Sequence, residues 1–253
     1  MPLEPDLLRL NIVCPPPGEG ILEVRPFIGG RDLVADAAPR DGGGRRYVGA
    51  GPRYLLDRGG PLRATTTPHE VRLAWAGCGV EMCCGALYVT VGRDGEHVVW
   101  AGWRDPVDED LDLPELRFAA GQYEAEVLRA EEDRGWEWPG GAVARLLEAR
   151  LRGREDWLAR WDCEVEDVWA ARQEPDRIHL LLRHPRNRAD TDLPWIQFGT
   201  TLWISAEDPS DQVEELEARL TAGDPRATAE VWGGTHHAEQ LGYPWPPADP
   251  LFM

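Results

Sequence analysis

The fold is decided by residues 86–103, where Ala86-Leu87-Tyr88-Val89-Thr90-Val91 and His97-Val98-Val99-Trp100-Ala101-Gly102-Trp103 flank Gly92-Arg93-Asp94-Gly95-Glu96. Two runs of β-branched and aromatic residues around an Asp-Gly pair are a β-hairpin signal. With Asp94-Gly95 as a two-residue loop, Arg93 falls opposite Glu96. Val91/Val98 and Val89/Trp100 then share the face that looks into the core.

The residues upstream of the hairpin carry short apolar runs (21–24, 54–56). Pro15-Pro16-Pro17-Gly18, Gly29-Gly30, Gly42-Gly43-Gly44 and Gly59-Gly60-Pro61 punctuate them. Such punctuation predicts short strands and tight turns, and Val71, Leu73 and Trp75 mark one face of a further strand. Downstream the period changes. Tyr123, Val127 and Ala130 predict a helix over 122–134, and Val143, Leu146, Leu147 and Leu151 predict a second helix that stops at Gly153. Trp157, Leu158 and Trp161 suggest a short third helix, and strands follow at 163–171, 177–183 and 195–205. Asp208-Pro209-Ser210-Asp211 opens another helix as cap, first-turn proline and first-turn acid. Strands first, then helices with further strands, predict an α+β class rather than alternating βαβ units. The expected architecture is a β-rich N-terminal half with a hairpin, and helices packed on a mainly antiparallel sheet in the C-terminal half. The expected division runs after the acidic residues 108–112, giving a β-rich region 1–117 and an α+β region 118–253.

The chain has 253 residues, enough for a hydrophobic core without staples. Its 27 basic residues are all arginine and face 45 acidic ones, for a net charge of −18. That field repels phosphate backbones and anionic membrane surfaces, and no stretch interleaves arginine with aromatics, so neither nucleic acid nor membrane is an expected partner. Residues 7–13 are too short and interrupted for a signal-peptide core, which makes the cytoplasm the expected location.

Reactive side chains are densest in Gly77-Cys78-Gly79-Val80-Glu81-Met82-Cys83-Cys84-Gly85. Cys78 and Cys83 have the long-end spacing of half a zinc knuckle, and Cys83 and Cys84 would share an ion only in a turn. With His69 added, Cys78, Cys83 and Cys84 form the candidate metal set, and zinc is the cofactor it implies. The alternative is reduced cysteines packed as small hydrophobes, because five cysteines without even spacing are no secreted disulfide framework. A Cys-His nucleophile is disfavoured, since the hairpin carries His97 far from Cys84. His179 and His184 have an odd separation and face opposite sides of a strand. No phosphate loop, dinucleotide fingerprint or Gly-x-Ser-x-Gly elbow is present.

Tryptophan is in excess, 12 against 5 tyrosines and 4 phenylalanines. Most should be core, but Trp136 and Trp138 sit in a Gly-bracketed segment, and Tyr243 and Trp245 lie among prolines. These four are the candidate partner-binding residues, because exposed aromatics anchor protein interfaces.

Gly77-Cys78-Gly79, Cys83-Cys84-Gly85, Val99-Trp100 and Phe118-Ala119-Ala120-Gly121-Gln122-Tyr123 together resemble a segment of widely distributed uncharacterised bacterial proteins. Their pattern is a cysteine-glycine knuckle, a Val-Trp hairpin strand and Phe-x-x-x-Gln-Tyr opening a helix. The resemblance covers about residues 73–130, and residues 177–245 are similar to actinobacterial proteins of this length. It implies no activity, cofactor or partner, and Cys78 stands alone where those proteins often have two cysteines around a glycine.

The leading expectation is an acidic protein that binds another protein, of the inhibitor or immunity type. One alternative is a metal- or thiol-dependent enzyme or sensor using Cys78, Cys83 and Cys84. Another is an enzyme on a small biosynthetic substrate with His236, His237 or carboxylates converging in a pocket.

Overall fold

The computed structural model describes residues 5–16, 19–37, 47–57, 59–76, 84–186 and 193–243. The chain forms two compact units, Met1–Trp136 and Glu137–Met253. The α+β class is as expected, but the division falls near residue 136 rather than 117. The reason is the helix over 120–132. Its Ala120, Tyr123, Val127 and Ala130, with Phe118 just before it, are buried in the core of the first unit.

In the first unit, β4 (Tyr47–Gly49), β5 (His69–Ala76), β6 (Ala86–Asp94), β7 (His97–Arg104) and β8 (Leu116–Ala119) form an antiparallel sheet in that order. A second sheet joins β1 (Leu8–Val13), β2 (Glu23–Ile28) and β3 (Arg31–Asp32). Two one-turn helices, α1 (Leu33–Asp36) and α2 (Pro52–Leu55), sit between the strands, and α3 (Ala120–Glu132) follows β8.

The β6–β7 hairpin turns one residue later than expected. Asp94 pairs with His97 and Val91 with Trp100, so the loop is Gly95-Glu96. Gly95 has φ 59°, and a two-residue loop with glycine first suits the twist of the flanking strands. Each expected pair therefore moves by two positions in register, which preserves the faces. Val89, Val91, Val98 and Trp100 are all buried. The Trp100 indole N–H donates to the Tyr123 hydroxyl at 3.1 Å, and that hydroxyl donates to the Leu62 carbonyl at 2.8 Å. Phe118 closes the cluster, 5.5 Å from both rings.

In the second unit, α4 (Pro139–Arg152) and α5 (Glu155–Arg160) precede three strands. These are β9 (Glu164–Trp169), β10 (Arg177–His184) and β11 (Ile196–Trp203), and α6 (Pro209–Thr221) and β12 (Glu230–Gly233) follow. The sheet is antiparallel in the order β12-β11-β10-β9. The start of α6 is as the sequence predicts, with the Asp208 side chain accepting from Ser210 N–H at 2.8 Å. Period-2 alternation sends Ile178, Leu180, Leu182, Ile196, Phe198 and Leu202 to one face. There they meet Val143 and Leu147 of α4, Leu158 of α5, and Val213 and Leu216 of α6. No described helix is long and apolar enough to cross a membrane.

Candidate functional site

Because the three described α-helices of the second unit serve that one core, the opposite face of its sheet carries no helix among the described residues. Alternation places Arg177, His179, Leu181 and Arg183 of β10 there, beside Gln197, Gly199, Thr201 and Trp203 of β11. β9 contributes Trp169, opposite His179, and β12 contributes Trp232.

The indoles of Trp169 and Trp232 reach across the strands and meet at His179. Trp169 stacks on the imidazole with centroids 5.1 Å apart, and Trp232 lies 5.8 Å from the imidazole and 6.0 Å from Trp169. Trp232 can do so because Gly199 offers bare backbone: a Cβ there would fall within the indole ring. The imidazole is held from both nitrogens, with Nε2 3.0 Å from Glu174 Oε2 and Nδ1 3.2 Å from Thr201 Oγ1. Polar pairs border the cluster. Gln197 donates to Glu166 at 2.8 Å, Arg183 pairs with Glu164, and the Arg177 guanidinium lies 4.7 Å over the Trp203 ring. Trp203 is 64% exposed and Trp232 37%.

Hydroxyl, imidazole and carboxylate in a row resemble a nucleophile relay. Such a relay also needs donors converging on an oxyanion and a site that excludes water. Thr201 stands exposed on a strand whose N–H groups lie in the plane of the sheet, so nothing in that strand's backbone converges over it. The chain of contacts instead fixes the imidazole in a three-ring cluster with the two indoles, each ring 5.1–6.0 Å from the other two. The face is aromatic and bordered by charged side chains.

The residues singled out from sequence are distributed differently. Cys78, Cys83 and Trp245 lie outside the described residues. Cys84 is disulfide-bonded, which corrects the expectation of a reduced thiol or thiolate ligand at that position. Gly85 beside it has φ 91° and abuts Asp105, whose buried carboxylate accepts from the Tyr47 hydroxyl and from Val107 N–H. His69 is not brought to Cys84. It stands opposite Val91, whereas Ala86, two residues from Cys84, stands opposite Trp75. Six residues of strand separate the two ends, roughly 20 Å, and the His69 ring is on the Pro61 carbonyl at 2.8 Å. Among the described residues no three His, Cys, Asp or Glu side chains are grouped to hold a metal ion.

The structure places three of the four aromatic candidates. Trp136 is half-buried with its N–H on the Asp133 carbonyl, 2.8 Å away. Trp138 is half-buried at the start of α4, under Arg172. Tyr243 folds onto the second core, 4.8 Å from Phe198. His236 and His237 pack their rings 3.9 Å apart against Trp195. Cys163 is buried, and that burial pushes its thiol up to about 12. The surface that sequence reasoning missed is Trp169, His179, Trp203 and Trp232. Its signal is the strict alternation of 196–203, where Gln197, Gly199, Thr201 and Trp203 interleave with the core residues Ile196, Phe198 and Leu202. Comparison with protein-family models, with curated proteins and with solved structures finds no match to this chain.

Proposed function

We propose that this chain works by binding a basic partner protein on the helix-free sheet face of its second unit. The observation that carries the reading is Trp203, 64% exposed in a regular strand on the sheet face that also carries the 37% exposed Trp232. Large aromatics are left in water at a cost, and they are the residues that dominate interfaces when a partner covers them. The net charge of −18 selects the partner's sign and raises the rate of encounter with it.

The chain has no lysine, so amine-directed cross-linkers are of little use on it. The test is a photo-crosslinking benzoylphenylalanine placed at position 203, and separately at the exposed position 215 on α6. The expected result is adduct formation with a protein of basic composition from position 203 alone, reduced by Trp232→Ala. Equal adducts from both positions, or none from position 203 in cells that express the chain, would overturn the reading.

A second reading is thiol chemistry at the cysteine-rich segment, favoured by the disulfide at Cys84. It predicts a midpoint potential within the range of the cellular thiol pools, whereas a structural bridge resists them.

A further inference from the structure

The docking face ends on an unfinished sheet edge. Ile204 N–H donates to the Asp176 carbonyl across the β10–β11 register. In an antiparallel ladder the hydrogen-bonded pairs alternate with pairs whose groups point away. The N–H and C=O groups of residues 196, 198, 200 and 202 therefore face β10, and those of Gln197, Gly199, Thr201 and Trp203 face the other way. On that other side β12 pairs only with residues 197–199. Before Glu230 the chain leaves the sheet into a single turn of 3-10 helix, Pro225–Ala227. Thr201 and Trp203 thus present their backbone donors and acceptors along an edge where no described strand lies, and both residues are exposed.

We propose that the partner enters as an extended, arginine- or lysine-bearing segment that adds to β11 along residues 200–203, continuing the line of β12. Main-chain bonds to Thr201 and Trp203 supply four contacts, and alternate side chains of the added strand lie between Trp203 and Trp232. Charge sets the sign of those side chains. Glu230, the first residue of β12 and so beside the gap, and Glu207, four residues beyond the end of β11, are both exposed and in no ion pair among the described residues. Arg177 on the facing strand is already paired with Glu174 and Asp176. Natural edges are commonly guarded by lysine, proline or a bulge. This one carries Thr200, Thr201, Leu202 and Trp203 instead. A second copy of the chain would bring its own −18 to the same edge, which argues for a basic stranger over self-pairing.

This inference rests on the proposed docking face, and the experiment separates the two. Amide hydrogen exchange of the whole chain is followed by NMR with a capped hexapeptide alternating arginine and valine. The controls are the same peptide N-methylated at alternate amides, and one alternating glutamate and valine. The expected result is at least tenfold slower exchange at Thr201 and Trp203 with the first peptide and none with either control. Thr201→Pro, which removes an N–H that no described ladder uses, should abolish the effect, while Thr201→Val should keep it. If Thr201→Pro fails to fold, the N-methylated peptide makes the same distinction on the native chain. Quenching of Trp203 and Trp232 fluorescence without amide protection would overturn strand addition and leave the docking face standing. Silence in both signals would count against both. Protection of these amides in the free protein, with a dimer in sedimentation, would overturn the basic partner in favour of a second copy.

Discussion

The indole of Trp232 lies on the bare backbone of Gly199, in space that any Cβ would occupy. That contact lets an edge-strand side chain reach over β11 to His179, and so assembles the aromatic cluster. Gly199→Ala is expected to push the indole off the sheet and to destabilise the second unit by about 1–3 kcal/mol, the usual cost of forced repacking. Urea unfolding followed by tryptophan emission checks it. In the double variant Gly199→Ala with Trp232→Ala, the two costs should be less than additive, since removing the ring removes the clash.

In the first unit, α3 acts as a neighbouring strand for β1. The Gln122 side chain accepts from Leu8 N–H at 3.3 Å and donates to the Leu8 carbonyl at 2.8 Å. One turn on, Glu126 accepts from Leu10 N–H at 2.7 Å and Arg129 donates to the Leu10 carbonyl at 2.7 Å. Burial alone would raise the Glu126 carboxyl, but the bonds from Arg129 and Leu10, with the charges of Arg129 and Arg9, outweigh it and hold the group below its ordinary 4.5. Glu126→Ala leaves a buried N–H unpaired and should cost about 2–3 kcal/mol. A depressed carboxyl binds its proton more readily in the unfolded chain, so its contribution is complete above about pH 4.5 and is lost as pH falls through the folded value. The stability gap between wild type and Glu126→Gln should accordingly narrow below pH 4.5, and urea midpoints at pH 7, 5 and 3.5 would show it.

The sequence was legible wherever one local rule decided the outcome. Asp208-Pro209 marked a helix start because cap and fixed φ act within one turn, and the alternation around Val89 and Trp100 marked a buried face because burial follows period 2. The hairpin loop was misplaced by one residue because Asp94-Gly95 and Gly95-Glu96 are both good two-residue loops, and the choice between them depends on strand twist. The Phe118-x-x-x-Gln122-Tyr123 pattern was visible, yet its meaning was not. Phe118 and Tyr123 pack on Trp100 while Gln122 serves the edge of β1, more than a hundred residues earlier. The candidate site was the least legible part. Tryptophan in a strand reads as core, and only the pairing of four strands reveals that Trp169, Trp203 and Trp232 share the side without helices.

Thiol counting tests the cysteine assignments. Of 5 cysteines, two sulfurs are tied up in the bridge at Cys84, so denatured, unreduced protein should take up 3 equivalents of alkylating agent and reduced protein all 5. In the native chain Cys14, exposed, should react, and Cys163, buried and with its thiol pushed up to about 12, should not. Five equivalents without reductant, accompanied by about one zinc per chain, would instead restore the metal knuckle at Cys78, Cys83 and Cys84.

Trp203 is where stability and function should part. It is exposed, its ring contact is with Arg177 rather than with the core, and Trp203→Ala should leave urea unfolding within about 0.5 kcal/mol of wild type. If the ring anchors a partner, the same change should weaken partner binding at least tenfold, as truncating a hot-spot tryptophan does. Trp136→Ala gives the contrast. That indole is half-buried and spends its N–H on Asp133, so its loss should register in stability and not in binding. The reverse outcome, binding lost with Trp136 and kept without Trp203, would move the interface away from the sheet face and back to the loop that the sequence alone had favoured.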